Sequence, residues 1–207
     1  MKKYLCLVMA ALLVLIGMSA MAEETAVGTE HSFDRSVFEG LEGYKEDKFD
    51  KTWSYSIFAL KLQDDSALGM QVQGSLADSK IDTVTLGFTC TNTGTNSEKV
   101  QALIGETVYT FDLSKMVEVL NGGLIFLSDN NSSFFEALAN ADEVSFRAVA
   151  GGKNYEADFS AEDEEFKKLQ FALQEILRQG GTDCYSESGA ESVAKMENLQ
   201  LQVMTVD

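Results

Sequence analysis

Apolar and polar residues alternate along several segments after residue 52, and this pattern predicts β-strands. The segments are WSYSIFALKL (53–62), LGMQVQG (68–74) and TVTLGFTCT (83–91). Period-two alternation rich in aromatic and β-branched residues is typical of strands with one face in a core. In the third segment the inward row comprises Val84, Leu86, Phe88 and Cys90.

Two turns that contain glycine predict β-hairpins with a defined register. Gly105-Glu106 suits a two-residue type II′ turn, which pairs Val100 with Phe111, Ala102 with Tyr109, and Leu103 with Val108. Gly151-Gly152 predicts a second hairpin, which pairs Ala148 with Tyr155, Phe146 with Ala157, and Val144 with Phe159. On the other face of that hairpin Arg147 lies opposite Glu156, and opposite charges across two strands favour a register.

A helical period is clearest in SAEDEEFKKLQFALQEILRQGG (160–181). We predict a helix over 161–179, with Ser160 as its N-cap and Gly180-Gly181 as its end. Its apolar stripe comprises Phe166, Leu169, Leu173, Ile176 and Leu177. Two shorter helices are also predicted, one in LSKMVEVLNGG (113–123) and one that begins at Ser133, with Glu136 at capping-box spacing.

Together these elements predict a mainly β, α+β fold. It is an antiparallel, sandwich-like domain over residues 49–184, with the C-terminal helix packed on a sheet. Residues 23–48 are acidic with scattered glycines, and we interpret them as a leader or tether. Residues 185–207 are either a disordered tail or an edge strand, because Leu199, Leu201 and Val203 alternate.

The first 22 residues, MKKYLCLVMAALLVLIGMSAMA, have the layout of a signal peptide. Two lysines precede an apolar run, and Ala20-Met21-Ala22 forms a cleavage site of small residues. A transmembrane anchor is the alternative, but the apolar run is shorter than the roughly 20 residues that a spanning helix needs. We therefore predict cleavage after Ala22, a secreted or periplasmic location, and no membrane insertion of the mature chain.

The net charge of the chain narrows the range of molecules that it could bind. The chain has 33 acidic and 16 basic residues, a formal net charge of −17. Cleavage would remove two lysines and no acid, which leaves 14 basic residues and a net charge of −19. Phosphates of nucleic acids and anionic lipid headgroups would repel such a chain, so we predict neither as a partner.

The sequence offers little for catalysis. The single histidine, His31, lies in the interpreted leader, away from the rigid scaffold that a catalytic triad needs. Trp53 and Tyr55 could line a binding face, although aromatic residues on strands are more often part of a core. We predict no cofactor and no metal site.

Two functions stay open. The first is an exported, non-enzymatic module that binds a protein or a cell-envelope component, or that serves as a structural part of the envelope. The alternative is a hydrolase that uses paired carboxylates on envelope glycans. With 33 acidic residues some carboxylates lie close together in any fold, so their number does not decide between the two.

Cleavage would leave two cysteines, Cys90 and Cys184. An exported chain matures in an oxidising compartment, and helix 161–179 is long enough to bring its end over the end of a strand. A Cys90–Cys184 disulfide would then join helix to sheet, with a stabilisation of about 4–5 kcal/mol in the chain-entropy model. Two free buried thiols are the alternative, because cysteine is also a common core residue.

The order of elements resembles that of small exported bacterial β-sandwich proteins such as the type VI secretion-associated TagO family. The segments that carry the resemblance are WSYSIFAL, LGFTC and FKKLQFALQEILRQGGTDC, within residues 53–184. The spacing from helix to second cysteine is longer and richer in glycine here than that family leads us to expect. The resemblance implies a β-sandwich and the disulfide, and it implies no activity or site residue.

Overall fold

The structure is a computed structural model that describes residues 31–61, 66–90, 98–112, 122–196 and 201–205. Within these residues the strands are β1 (Tyr44–Asp47), β2 (Thr52–Lys61), β3 (Ser66–Ser75), β4 (Ile81–Cys90), β5 (Lys99–Ile104), β6 (Thr107–Asp112), β7 (Gly122–Phe126), β8 (Glu143–Ala150), β9 (Lys153–Ser160) and β10 (Leu201–Thr205). The α-helices are α1 (Ser132–Ala139), α2 (Glu164–Arg178) and α3 (Glu187–Met196). None of these helices has the length and apolar character that crossing a membrane requires.

The strands form two antiparallel, five-stranded sheets. The first has the order β1-β2-β3-β4-β7, and the second has the order β10-β6-β5-β8-β9. Between them lies the core, where the ring of Phe88 on β4 stacks on that of Phe146 on β8 with centroids 5.1 Å apart. Val84 and Leu86 are buried in the same core, as the alternation of β4 predicts. The predicted fold class, mainly β with a C-terminal helix, is confirmed.

Both predicted hairpin registers are confirmed. All pairs predicted around Gly105-Glu106 and around Gly151-Gly152 are partners in the sheet. Gly105 has a φ of 59° and Glu106 does not have a positive φ, as a type II′ turn requires. Across the second hairpin the Arg147 side chain donates to the Glu156 carboxylate over 2.7 Å, on the exposed face.

Helix α2 begins three residues later than predicted. Ser160 is not its N-cap, because that residue still belongs to β9 and pairs with Glu143. The N-cap is Asp163, whose carboxylate accepts a hydrogen bond from the Ser160 backbone N–H over 3.1 Å. The apolar stripe is confirmed, since its first four residues are fully buried: Phe166, Leu169, Leu173 and Ile176.

Helix α1 also begins before the predicted cap, Ser133. Its N-cap is Asn131, whose side chain bonds back to the preceding loop rather than to the helix. The Asn131 amide donates to the Phe126 carbonyl and accepts from the Ser128 N–H over 2.9 Å. The loop therefore fixes the start of the helix, and the capping-box spacing at Ser133 misplaces it.

Two glutamines of α2 join it to the end of α1. The Gln170 amide donates to the carbonyls of Leu138 (3.1 Å) and Ala141 (2.7 Å). The Gln174 amide donates to the Ala139 carbonyl over 2.8 Å. The last carbonyls of a helix lack partners within it, so these bonds let α1 end inside the protein.

The predicted leader is wrong for residues 31–48, because these residues belong to the domain. Phe33 and Phe38 are buried, and Phe38 stacks on Tyr55 with ring centroids 4.6 Å apart. Strand β1 then pairs with β2 at the edge of the first sheet. Trp53 and Tyr55 are buried as well, so their predicted core role is confirmed. Residues 23–30 lie outside the described residues.

The C-terminal region contains both a predicted and an unpredicted element. Strand β10 pairs with β6 at the edge of the second sheet, which confirms the edge-strand alternative for residues 201–205. Helix α3 precedes it and packs on β4, an element that the sequence pattern did not predict. The helix predicted from 113 lies outside the described residues up to 121, and Gly122 and Gly123 begin β7 instead of ending a helix.

Candidate functional site

The predicted Cys90–Cys184 disulfide is wrong for this fold. Cys184 is a free, buried cysteine. Its neighbour Tyr185 forms a parallel bridge with Ile81, the first residue of β4, whereas Cys90 is the last residue of that strand. The strand separates these two positions by roughly 30 Å, and an unstrained bridge needs Cα atoms within about 7 Å. Helix α2 therefore ends near the opposite end of β4 from the predicted one.

Cys184 is placed for packing rather than for reaction. Its thiol donates a hydrogen bond to the Gln179 carbonyl over 3.0 Å. Burial raises the pKa of this thiol above its ordinary value, so the reactive thiolate is disfavoured. The alternative that the sequence left open, a free buried thiol, is what the structure shows at Cys184.

The single histidine lies near this cysteine, a proximity that no pattern in the sequence predicts. A Cβ built on Gly180 would lie 3.3 Å from the Cys184 sulfur and 3.6 Å from Nδ1 of His31. The His31 carbonyl accepts a hydrogen bond from Lys80 over 2.7 Å, and this bond holds the segment against the domain. Since the thiol is bonded to a carbonyl and fully buried, the two side chains do not form a nucleophile–base pair.

Burial raises the pKa of the Asp82 carboxyl group above its ordinary value. The Ser186 hydroxyl donates to this carboxylate over 2.5 Å and accepts from the Gly189 N–H over 3.0 Å. Ser186 therefore caps the start of α3 and ties it to β4. A side chain at Gly189 would collide with the Asp82 backbone, which explains glycine at this position. The raised pKa is thus accounted for by the attachment of a helix.

No group of three or more histidine, cysteine, aspartate or glutamate residues is placed to hold a metal ion in the part of the chain that the structure describes. Cys184 and Asp82, the groups with the clearest chemistry, both serve the packing of C-terminal elements. The surface offers one feature of another kind.

That feature is the loop between β1 and β2, residues Lys48, Phe49, Asp50 and Lys51, which we call the tip. The Phe49 side chain is 98% exposed. The other large apolar residues described as exposed are Leu41, Leu103 and Phe171, and the most exposed of these reaches 43%. Burial of large apolar residues is the main driving force of folding. The exposed Phe49 side chain therefore contributes little to the stability of the fold.

Hydrogen bonds with Asp47 and Leu76 hold the backbone of the tip. Oδ1 of Asp47 accepts hydrogen bonds from the backbone N–H groups of Phe49 (2.9 Å) and Asp50 (3.1 Å). The Lys51 carbonyl accepts from the Leu76 N–H over 2.7 Å, which ties the tip to the end of β3. Lys51 has a φ of 54°, and it is the one described non-glycine residue in the left-handed region. A lysine in this region is strained.

An aromatic cluster supports the hairpin beneath the tip. Trp53 stacks on Tyr44 (centroids 6.3 Å apart) and on Phe33 (5.9 Å). It also lies against Phe38, which continues the cluster into the core. The two strands on either side of the tip therefore pack on this aromatic cluster, and the Phe49 ring projects from a well-packed hairpin.

The charge of the tip is opposite in sign to that of the chain. Lys48 and Lys51 outnumber Asp50, a net charge of +1 in a chain of −17. Neither lysine forms an ion pair with any described residue, whereas Arg147, Lys168 and Arg178 each lie within 2.7 Å of a glutamate oxygen. The tip thus combines an exposed aromatic ring with two lysines that no described residue pairs with.

Sequence reasoning missed this site. Phe49 lies at the predicted boundary between leader and domain, where the sequence pattern places it at the beginning of a strand-rich segment. The available signal was a lone aromatic residue in a charged run, KEDKFDK (45–51), because an isolated apolar residue among charges cannot belong to an inward row.

Comparison with known protein families, with characterised proteins and with solved structures finds no match to this chain. The resemblance to the TagO family therefore stays a prediction.

Proposed function

We propose that this chain is an exported, non-enzymatic binding module, and that the tip is its contact surface. The observation that carries the proposal is the nearly complete exposure of Phe49 on a rigid turn. Burial of such a side chain in a partner contributes about 1.5–3 kcal/mol. Because the tip is already ordered by Asp47, binding costs little further loss of conformational freedom.

Export is part of the proposal and rests on the pattern of residues 1–22. The mature protein is expected to begin at Glu23, as the cleavage site after Ala22 predicts. Mass spectrometry of the N-terminal peptide from exported protein checks this. A membrane-embedded product that retains Met1 would contradict it.

Photo-cross-linking tests the binding role. The photoreactive residue p-benzoylphenylalanine replaces Phe49, Leu103 or Phe171, one at a time, in producing cells. The first position is the tip, the second is on β5 of the second sheet and the third is on α2. We expect a discrete adduct from at least one position, and the captured partner, once purified, should bind the mature chain with a measurable Kd. If none of the three positions yields a partner that binds, the proposal fails.

The rival activity is measured in the same preparation. Purified mature chain is incubated with isolated envelope glycan, and released reducing ends are quantified. We expect no release above a heat-inactivated control. Turnover that survives purification to homogeneity would replace the binding module with a hydrolase.

A further inference from the structure

We infer that the tip binds an apolar pocket in a partner protein and that the rim of this pocket is acidic. The inference rests on the proposed function and names the partner class of the same site. Two features of the tip carry it: the shape around Phe49 and the charges beside it.

Shape indicates a concave partner. A side chain that is 98% exposed has almost no neighbour in its own chain, so a flat surface would cover only the outer edge of the ring. A pocket encloses both faces of the ring, and rigid aromatic anchors in pockets carry much of the energy of protein interfaces. The bonds from the backbone N–H groups of Phe49 and Asp50 to Asp47 hold the turn from which the ring extends.

Charge indicates an acidic rim. Lys48 precedes Phe49, Lys51 follows it after Asp50, and neither lysine has an ion-pair partner among the described residues. Asp47, the acid that precedes Lys48, is engaged at Oδ1 by two backbone N–H groups. Carboxylates around a pocket would form ion pairs with these lysines as the ring enters. Complementary charges of this kind raise association rates and fix the orientation of the two proteins.

A lipid surface fits the same tip less well. Anionic headgroups would attract Lys48 and Lys51 just as acidic side chains would, so charge does not separate a membrane from an acidic pocket. Stable attachment to a membrane takes more than one weak signal, and Leu41, Leu103 and Phe171, the other exposed large apolar residues among those described, lie in a loop, on β5 and on α2. A protein pocket needs only the one anchor that the tip presents.

The test uses the full mature chain and the partner identified by cross-linking. Kd is measured for wild type, Phe49→Ala, Phe49→Leu and the double variant Lys48→Glu/Lys51→Glu. We expect Phe49→Ala to weaken binding by about tenfold or more and Phe49→Leu to retain most of the affinity. The double charge variant should weaken binding and reduce its dependence on salt, because it reverses the charges that face the rim.

Two controls separate binding from folding. Phe171→Ala removes another exposed phenylalanine, on α2, and should leave Kd unchanged. Thermal melting should give the same Tm for Phe49→Ala as for wild type, because the ring packs against almost nothing in its own chain. A loss of affinity at equal Tm therefore reports the interface.

The remaining outcomes overturn the inference in distinguishable ways. A partner whose Kd is unaffected by Phe49→Ala leaves the chain a binding module but removes the tip as its contact surface. An adduct from position 103 or 171 and none from 49 does the same. Phe49-dependent flotation with phosphatidylcholine–phosphatidylglycerol vesicles would replace the protein pocket by a lipid surface. Absence of any partner removes both the inference and the proposed function.

Discussion

The β1–β2 and β8–β9 hairpins make the same kind of connection in different ways. Gly151 and Gly152 form a two-residue turn with φ values of 56° and 72°, which glycine adopts without strain. The tip between β1 and β2 has four residues, places Lys51 rather than glycine in the left-handed region, and leaves Phe49 in solvent.

The comparison between the two hairpins shows which residues of a turn the fold requires and which it does not. Glycine would relieve the strain at Lys51, and a polar residue at position 49 would remove an exposed ring. Departures from local consistency of this kind are expected at functional sites. The β8–β9 turn shows none, so it serves as an internal reference for the tip, and substitutions in the two hairpins can be compared directly.

The largest effect is expected at the base of the first hairpin. Trp53→Ala would empty a site that is 2% exposed and enclosed by Tyr44, Phe33 and Phe38. We expect a loss of about 3–5 kcal/mol in the free energy of unfolding. Urea titration followed by circular dichroism measures it, since the variant lacks its tryptophan fluorescence.

Tyr155→Ala near the turn of the second hairpin is the matched control. Tyr155 is partly buried, so its removal should cost clearly less than that of Trp53. Equal costs at the two positions would contradict the idea that the tip stands on a specially packed base.

The second effect is smaller and concerns the reference turn. Gly152 has a φ of 72° and open space around a built Cβ, so Gly152→Ala introduces backbone strain without a collision. We expect a loss of about 1 kcal/mol or slightly more. A neutral result in the same urea assay would show that a non-glycine residue is tolerated in the left-handed region at no cost, and the argument that Lys51 is strained would lose its support.

The two hairpins also differ in what the sequence could predict. The β8–β9 register follows from Gly-Gly and from apolar residues on one face with Arg147 and Glu156 on the other. Strand β1 reads Tyr-Lys-Glu-Asp, with one apolar residue, so no alternation was available. Phe33 and Phe38 are buried by contact with Trp53 and Tyr55, and such tertiary contacts are invisible to a local pattern.

The errors at the candidate sites have the same origin. The apolar stripe of α2 was predictable, but the end of β4 to which the helix leads depends on topology, so the disulfide was misplaced. Phe49 was unremarkable because aromatic residues are usually buried, and composition does not tell an exposed ring from a buried one. Exposure is a property of the assembled fold.

The third effect sharpens the strain argument. Lys51→Gly should relieve about 1–2 kcal/mol of left-handed strain and cost about 0.5–1 kcal/mol through the greater freedom of unfolded glycine. We therefore expect a net gain of about 0.5 kcal/mol in stability. Lys51→Ala is the control, because it removes the same charge and keeps the strain. If both variants are equally stable, the conformation of Lys51 costs the fold nothing.

The smallest effect is expected at the charged pair of the second hairpin. Arg147 and Glu156 lie 2.7 Å apart with side chains 46% and 56% exposed, so solvent screens most of their attraction. A double-mutant cycle with Arg147→Gln and Glu156→Gln should give a coupling of no more than about 0.5 kcal/mol. At about 1 M salt the coupling should vanish, because the screening length falls to about 3 Å. Urea titrations of the four proteins measure it. A coupling well above that limit that persists in salt would mean that this face is shielded from water. Both hairpins would then have surfaces that a partner covers. The contrast between a turn that only connects two strands and a tip that binds a partner would fail.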